Sequence, residues 1–251
     1  MQHLRNPRGQ GLREAGGLLL DLIFPRRCPV CHEAALPPYH ICPACRARLP
    51  FIETKRCEKC GKPVPGTDRL CDDCRTRPHA FDRGLGLLVY DETMREAMSY
   101  LKYKGRKEYG EALGELLAEY TGDLAALWQP DVIVPIPLHP KKMNTRTYNQ
   151  AAEIARPLSR AFGIPLAETM LRRKNETAAM KNLDVSDRLR NLEGAFGPGE
   201  GFVPARCALL VDDIYTTGAT MDAAAMALRE GGIREICFLT VCIGGGFMVQ
   251  Y

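Results

Sequence analysis

The sequence predicts an α/β protein: a mostly parallel sheet with helices on both faces, preceded by a small cysteine-rich module. Three observations carry this expectation. From residue 84 onward, apolar runs of strand length alternate with segments of helical spacing. One of those runs, Ala208–Val211, ends in two adjacent carboxylates, Asp212 and Asp213, and a loop of small residues. Eight of the eleven cysteines fall into four Cys-x-x-Cys pairs.

Residues 1–24 read as an amphipathic N-terminal segment. Leu18, Leu19, Leu20, Leu22, Ile23 and Phe24 follow Arg5, Arg8 and Arg13, as in a signal sequence. Asp21 interrupts the run, and Pro25-Arg26-Arg27 follows without a small-residue cleavage site. The run is too short to span a bilayer. A short helix packed on the rest of the protein is expected, with peripheral membrane association as the competing reading. No transmembrane segment is expected, and the protein is assigned to the cytoplasm.

Residues 25–80 read as a duplicated metal module. The pairs Cys28/Cys31, Cys42/Cys45, Cys57/Cys60 and Cys71/Cys74 are separated by ten, eleven and ten residues. Zinc takes four soft ligands in a tetrahedron, and two such pairs supply one site. Two closed, structural zinc sites follow. Consecutive pairing is favoured, Cys28, Cys31, Cys42 and Cys45 in one and Cys57, Cys60, Cys71 and Cys74 in the other; nested or crossed pairing also fits the spacing. Disulfides or an iron–sulfur cluster compete with zinc, less well in a chain that otherwise reads as a cytosolic enzyme. The three remaining cysteines, Cys207, Cys237 and Cys242, lie on or beside apolar runs and read as small core residues.

Charge is uneven. The chain carries a formal +4, but residues 1–80 hold fourteen Lys/Arg against eight Asp/Glu, and residues 81–251 hold twenty against twenty-two. Each four-thiolate zinc site contributes about −2. The N-terminal module is then only mildly basic, and bulk charge does not argue for nucleic-acid binding. Basic residues within it, Arg46, Arg48, Lys55, Arg56, Lys59 and Lys62, read first as solubilising charge and second as phosphate contacts.

Residues 81–251 read as the α/β domain. Strands are expected at 84–90, 131–135, 166–171 and 235–243, besides the run ending at Asp213. Helices are expected at 92–101, 108–120, 148–162 and 221–230. Pro135, Pro137 and Pro140 bar a helix directly after the second strand. Residues 172–200 are polar and irregular.

The run ending at Asp212 and Asp213 is the most specific signal. Open α/β sheets bind ligands at the carboxyl ends of their strands. The loop Thr216-Thr217-Gly218-Ala219-Thr220 places hydroxyls and backbone N–H groups at a helix N-terminus, which suits a phosphate. Neither a Rossmann fingerprint nor a Walker loop is present. The segment resembles the signature of type I phosphoribosyltransferases, which bind 5-phosphoribosyl 1-pyrophosphate with magnesium.

Further segments make the resemblance narrower. They are Leu-Leu-Leu-Asp-Leu-Ile-Phe-Pro before Cys28, the double ribbon, Leu101-Lys102-Tyr103-Lys104-Gly105-Arg106, Val134–His139, Arg146–Ala151, and Arg188-Leu189-Arg190-Asn191 with Ala195-Phe196. Together they resemble the ComF family, ComFC-like bacterial proteins of the phosphoribosyltransferase superfamily linked to competence and DNA utilisation. Thr147 and Met180 depart from the residues common there, glycine and glutamine.

The resemblance implies roles. Thr216, Thr217, Gly218, Ala219 and Thr220 would hold the 5-phosphate. Asp212 and Asp213 would bind ribose hydroxyls, directly or through magnesium. Lys102, Gly105 and Arg106 would meet pyrophosphate, and residues 172–190 would form a lid with Arg188 as its first contact. Arg146, Asn149 and Gln150 would orient sugar or acceptor, or else cap the following helix. The activity implied is pyrophosphate-releasing glycosyl transfer, a purine or pyrimidine salvage enzyme being one form of it. The competing reading is a non-catalytic adaptor that senses a phosphorylated ligand and contacts single-stranded DNA or a DNA-processing protein such as a competence helicase.

Overall fold

The computed structural model describes residues 26–36, 38–139, 146–174 and 194–244. The expected N-terminal amphipathic segment therefore lies outside the described residues. The chain forms two compact units, residues 1–49 and 50–251.

The cysteine duplication is repeated hydrogen bond for hydrogen bond. In the smaller unit Cys28 N–H donates to Glu33 O (2.9 Å) and His32 N–H to Cys28 O (2.9 Å). In the larger unit Cys57 N–H donates to Lys62 O (2.7 Å) and Gly61 N–H to Cys57 O (2.9 Å). Each knuckle is closed by a residue with positive φ, His32 (62°) or Gly61 (75°), and by one antiparallel bridge, Arg27 to Ala34 or Arg56 to Pro63. The second pair of each repeat opens a short helix. Cys42 caps α1 (Pro43–Arg46) and Cys71 caps α2 (Asp72–Thr76), so that Cys45 and Cys74 face back toward their knuckles.

The repeats differ in what surrounds them. Cys57, Cys60, Ile52 and Val64 belong to the core cluster of the larger unit. Val89 N–H donates to Pro50 O (2.8 Å), so residues 50–52 run beside strand β1 (Arg83–Val89) and cover its outer edge. Arg56 is half-buried there and donates to Ile52 O and Gly86 O, both at 2.7 Å. Burial pushes its guanidinium down to about 10. The sequence-based boundary after residue 80 follows cysteine spacing. The compact units follow burial, and the second ribbon goes with the sheet.

Gly61 makes that docking feasible. A Cβ there would lie 2.8 Å from Leu85 Cα and 2.9 Å from Gly84 O. Gly61→Ala adds left-handed strain to a clash with backbone, and is expected to destabilise the larger unit by about 2–3 kcal/mol. Denaturant melts check this; a change below about 0.5 kcal/mol would contradict the close approach.

The remaining elements are helices α3 (Glu92–Tyr103), α4 (Lys107–Trp128), α5 (Gln150–Phe162) and α6 (Ala219–Glu230), and strands β2 (Val132–Pro135), β3 (Leu171–Arg173), β4 (Phe196–Pro198), β5 (Cys207–Tyr215) and β6 (Glu235–Ile243). β1, β6, β5 and β2 form one parallel sheet in that order. β5 and β6 are central and nearly all buried, which explains their continuous apolar runs. Val132, Val134, Ala208, Leu210, Ile236 and Phe238 share one cluster with α6 and the second ribbon. The alternate residues Ile133, Leu209 and Leu239 point to the face where α4 and α5 pack. Gly114 lets these two helices meet closely; a Cβ there would lie 2.3 Å from Ile154 O. Cys207, Cys237 and Cys242 are buried core residues as expected.

Two elements differ from expectation. α4 runs to Trp128, because Thr121, Ala125 and Trp128 continue its buried face beyond residue 120. The strand expected at 166–171 is a single bridge, Leu166 to Ile133. Leu171–Arg173 pairs antiparallel with Phe196–Pro198 instead. Between them Met170 N–H closes back onto Ala167 O (3.3 Å), a turn that ends the run.

Candidate functional site

The parallel sheet sends the ends of β2, β5 and β6 to one edge. At that edge β5 changes from apolar to acidic, and the chain turns through Thr216, Thr217 and Gly218 into α6. Gly218 is the N-cap of α6 with φ +85°. A Cβ there would lie 2.7 Å from Tyr215 Oη and 3.0 Å from His79 Cε1, so only glycine fits. With no side chain capping the helix, its first amides face a small open cleft. Asp212, Ile214, Tyr215, Thr216, Thr217, Gly218, Ala219, Thr220 and Met221 line it. Thr216 and Thr217 are exposed.

The two carboxylates differ. Asp213 is buried and pairs with Lys102 Nζ at 2.7 Å, with both side chains largely shielded from water. Lys102 comes from the last turn of α3. Burial opposes its charge, but the attraction of Asp213 outweighs this and holds the ammonium above its usual range. Among the described residues Asp212 has no such ion-pair partner. Its Oδ1 accepts from Asp213 N–H at 2.8 Å. Desolvation at the foot of the cleft, then the neighbouring charge of Asp213, push its carboxyl up to about 7.

This shift has a sign for stability. A carboxyl raised in the folded protein keeps its proton longer than in the unfolded chain. Its contribution is full below about pH 4 and is lost as pH rises through about 7. Asp212→Asn keeps the acceptor for Asp213 N–H and removes the titration. Between pH 5 and 8.5 the variant is expected to lose about 1–3 kcal/mol less stability than the parent. Denaturant melts at the two pH values measure this, and parallel slopes would contradict it.

The other anticipated residues are distributed unevenly. Gly105 forms the left-handed turn between α3 and α4 (φ +70°). Arg106 starts α4 and pairs with Glu108 at 3.4 Å, not with the acids of β5. Asn149 is a helix cap: its Oδ1 accepts from Ala151 N–H (3.1 Å) and its Nδ2 donates to Ile136 O (3.0 Å). Arg146 is buried with its guanidinium 4.7 Å from the Tyr103 ring centre, and Gln150 is buried at the start of α5. Arg188, Met180 and most of the proposed lid lie outside the described residues. Among the ribbon's basic residues, Arg56 is bound to backbone carbonyls. Lys62 is buried against Asp73 and the Tyr215 ring, and Lys59 lies over Phe81.

Sequence reasoning missed a second set of contacts to the loop. Arg77 Nη2 donates to Thr217 O at 2.7 Å. His79 Nδ1 lies 2.8 Å from Asp222 Oδ2, and Ala80 N–H donates to Asp222 Oδ1 at 2.8 Å. Nothing in the spacing of Arg77-Pro78-His79-Ala80 marks it as a partner of a loop 140 residues away.

The cysteines group consecutively: the four sulfurs of Cys28, Cys31, Cys42 and Cys45, and those of Cys57, Cys60, Cys71 and Cys74, each lie within 4.8 Å of one another. No disulfide links any of the eleven. A zinc tetrahedron with ~2.3 Å bonds has edges of about 3.8 Å. The Cys31–Cys42 and Cys60–Cys71 sulfur separations, 3.8 and 3.6 Å, match that edge. These are two zinc-binding sites of four cysteines each, and zinc in each would lock its knuckle to its helix. No helix among the described residues is long and apolar enough to cross a membrane.

Comparison with known proteins follows the same two parts. The double zinc ribbon domain matches residues 19–75. Among solved structures, a purine phosphoribosyltransferase from Pyrococcus horikoshii Ot3 aligns over 55% of this chain and 93% of its own, with 18% identity and a TM-score of 0.30. The DNA utilization protein YhgH of Escherichia coli (strain K12) is 29% identical over 225 residues, 88% of this chain and 98% of that protein. Competence protein ComFC of Bacillus subtilis (strain 168) is 30% identical over 241 residues, 91% of this chain and 95% of that protein. The similarity to these relatives runs along nearly the full length, and the chain belongs to the ComF family.

Proposed function

We propose that the larger unit binds 5-phosphoribosyl 1-pyrophosphate with magnesium and transfers its phosphoribosyl group, releasing pyrophosphate. The observation that supports this best is the cleft at the end of β5. There an acid whose carboxyl is pushed up to about 7, a second acid paired with Lys102, and the open N-terminus of α6 lie together at one sheet edge. The α6 amides with Thr216, Thr217 and Thr220 suit a phosphate monoester. Asp212 and Asp213 suit the ribose hydroxyls or the oxygen-seeking magnesium that accompanies the donor. Lys102 is assigned to the pyrophosphate end, with Gly105 and Arg106 in the adjoining turn; Arg106 must leave Glu108 to take part. Arg188 is assigned to the lid.

In the reaction an acceptor lone pair forms a bond to C1 of the donor, and the C1–oxygen bond breaks with its electrons going to pyrophosphate. Among the described residues the site offers no side chain suited to a covalent intermediate, so positioning and fixed charge would supply the rate enhancement. The names of the relatives, a DNA utilization protein and a competence protein, support assigning this activity to competence or DNA utilisation. Calorimetric titration of zinc-loaded protein with the magnesium donor complex, beside Asp212→Asn/Asp213→Asn, tests the reading. Binding by the parent alone is expected. No binding by well-folded parent protein would overturn it and leave the adaptor reading, in which the ribbons and sheet dock a DNA-processing partner.

A further inference from the structure

We infer that the second ribbon is a positioning element for the phosphate loop, so that zinc at its cysteines and an anion in the cleft strengthen each other's binding. The inference rests on the donor reading above and concerns how that site is held. Three contacts join the two features. Arg77, three residues after the ligand Cys74, fixes the carbonyl of Thr217 at 2.7 Å. His79 and the amide of Ala80 take both oxygens of Asp222, in the first turn of α6, at 2.8 Å each. Tyr215 fills the space between: its hydroxyl is buried where a Gly218 side chain would be, beside Cys60 and Cys74.

Thr216 and Thr217 are exposed, and α6 has no side-chain cap. The segment that pins the loop, residues 77–80, leaves α2, whose place is fixed by Cys71 and Cys74. Zinc therefore sets where Arg77 and His79 stand, and these set where the α6 amides point. Two ligands that favour the same arrangement are coupled, and the coupling is reciprocal by thermodynamic necessity. Arg77 and His79 are positioning residues, since they touch the loop's backbone and helix rather than its open face. The first cysteine cluster belongs to the other compact unit and serves as an internal control.

The test measures zinc release from the full-length protein into a chelating dye, with and without the saturating magnesium donor complex. A Cys28→Ser/Cys31→Ser protein, with only the second cluster intact, assigns the phases. Donor is expected to slow release from the second cluster about fivefold or more and to leave the first unchanged. In Arg77→Ala the protection should fall toward onefold and the donor Kd should rise by a similar factor, with zinc content at two per chain. Arg77→Lys, which can still donate to Thr217 O, should recover part of both. Calorimetry on the same parent sample separates the outcomes. Donor that binds without slowing either release phase, or slows both equally, overturns the coupling and leaves the donor reading standing. Donor that does not bind overturns both.

Discussion

Asp213→Asn is expected to weaken binding of magnesium phosphoribosyl pyrophosphate at least 100-fold, and Asp212→Asn/Asp213→Asn to abolish it in calorimetry. The reason is electrostatic. Asp213 holds Lys102 at 2.7 Å where water is largely excluded. Its neutralisation leaves a buried ammonium uncompensated, a loss of about 3 kcal/mol or more. On the proposed reading it also deletes one of two acids that would face the donor's hydroxyls or magnesium. The effect on Asp212 runs the other way. The charge of Asp213 is the second cause holding its carboxyl near 7, so neutralising it should lower that value. Wild-type donor binding should accordingly tighten as pH rises through about 7, with uptake of a proton by buffer, and Asp213→Asn should flatten that dependence. Unchanged donor affinity in the double variant would remove the carboxylates from the site.

The second large effect concerns zinc. Cys60→Ser is expected to lower the main thermal transition by ten degrees or more, whereas Cys31→Ser removes one zinc and leaves that transition in place. Structural zinc contributes on the order of 10 kcal/mol to small zinc domains. In the larger unit that contribution is joined to the core: Cys57 and Cys60 are buried among Ile52, Val64, Phe81 and Phe238. Phe81 packs edge-on against Phe238 at 4.9 Å, and Tyr215 stacks on Phe238 at 4.8 Å. A freed second ribbon exposes that aromatic stack and the edge of β1. Differential scanning calorimetry with metal analysis checks both variants; equal shifts would contradict the unequal embedding of the two ribbons.

How far the sequence speaks depends on distance along the chain. The Asp212–Thr220 turn was legible because its strand, loop and helix are contiguous in the chain. The cysteine ladder was legible for the same reason, each knuckle being a short local motif. Asn149 was ambiguous between cap and ligand, and its bonds to Ala151 and Ile136 make it a cap. The hairpin of β3 and β4 could not be anticipated, because the apolar spacing at 166–171 resembles a strand and the true partner, Phe196–Pro198, lies beyond a long polar stretch. Arg77 and His79 look like ordinary linker residues until the fold brings them to Thr217 and Asp222. Arg56 and Lys62, read as surface charge, are drawn inward because backbone carbonyls and Asp73 await them.

The position of β6 matters on the ribosome. β1 has one partner within the sheet, and that partner comes after β5 in the chain: Arg83 pairs with Cys237, and Val89 with Ile243. β5 likewise meets β6 along nearly its whole length. Until residues 235–243 leave the exit tunnel, a nascent chain carries two apolar strands with bare facing edges and a gap between them. Such edges invite pairing with other chains, and distant contacts form slowly. Sheet assembly therefore waits on β6, which works as a closing wedge whose arrival joins the separate strands into one sheet.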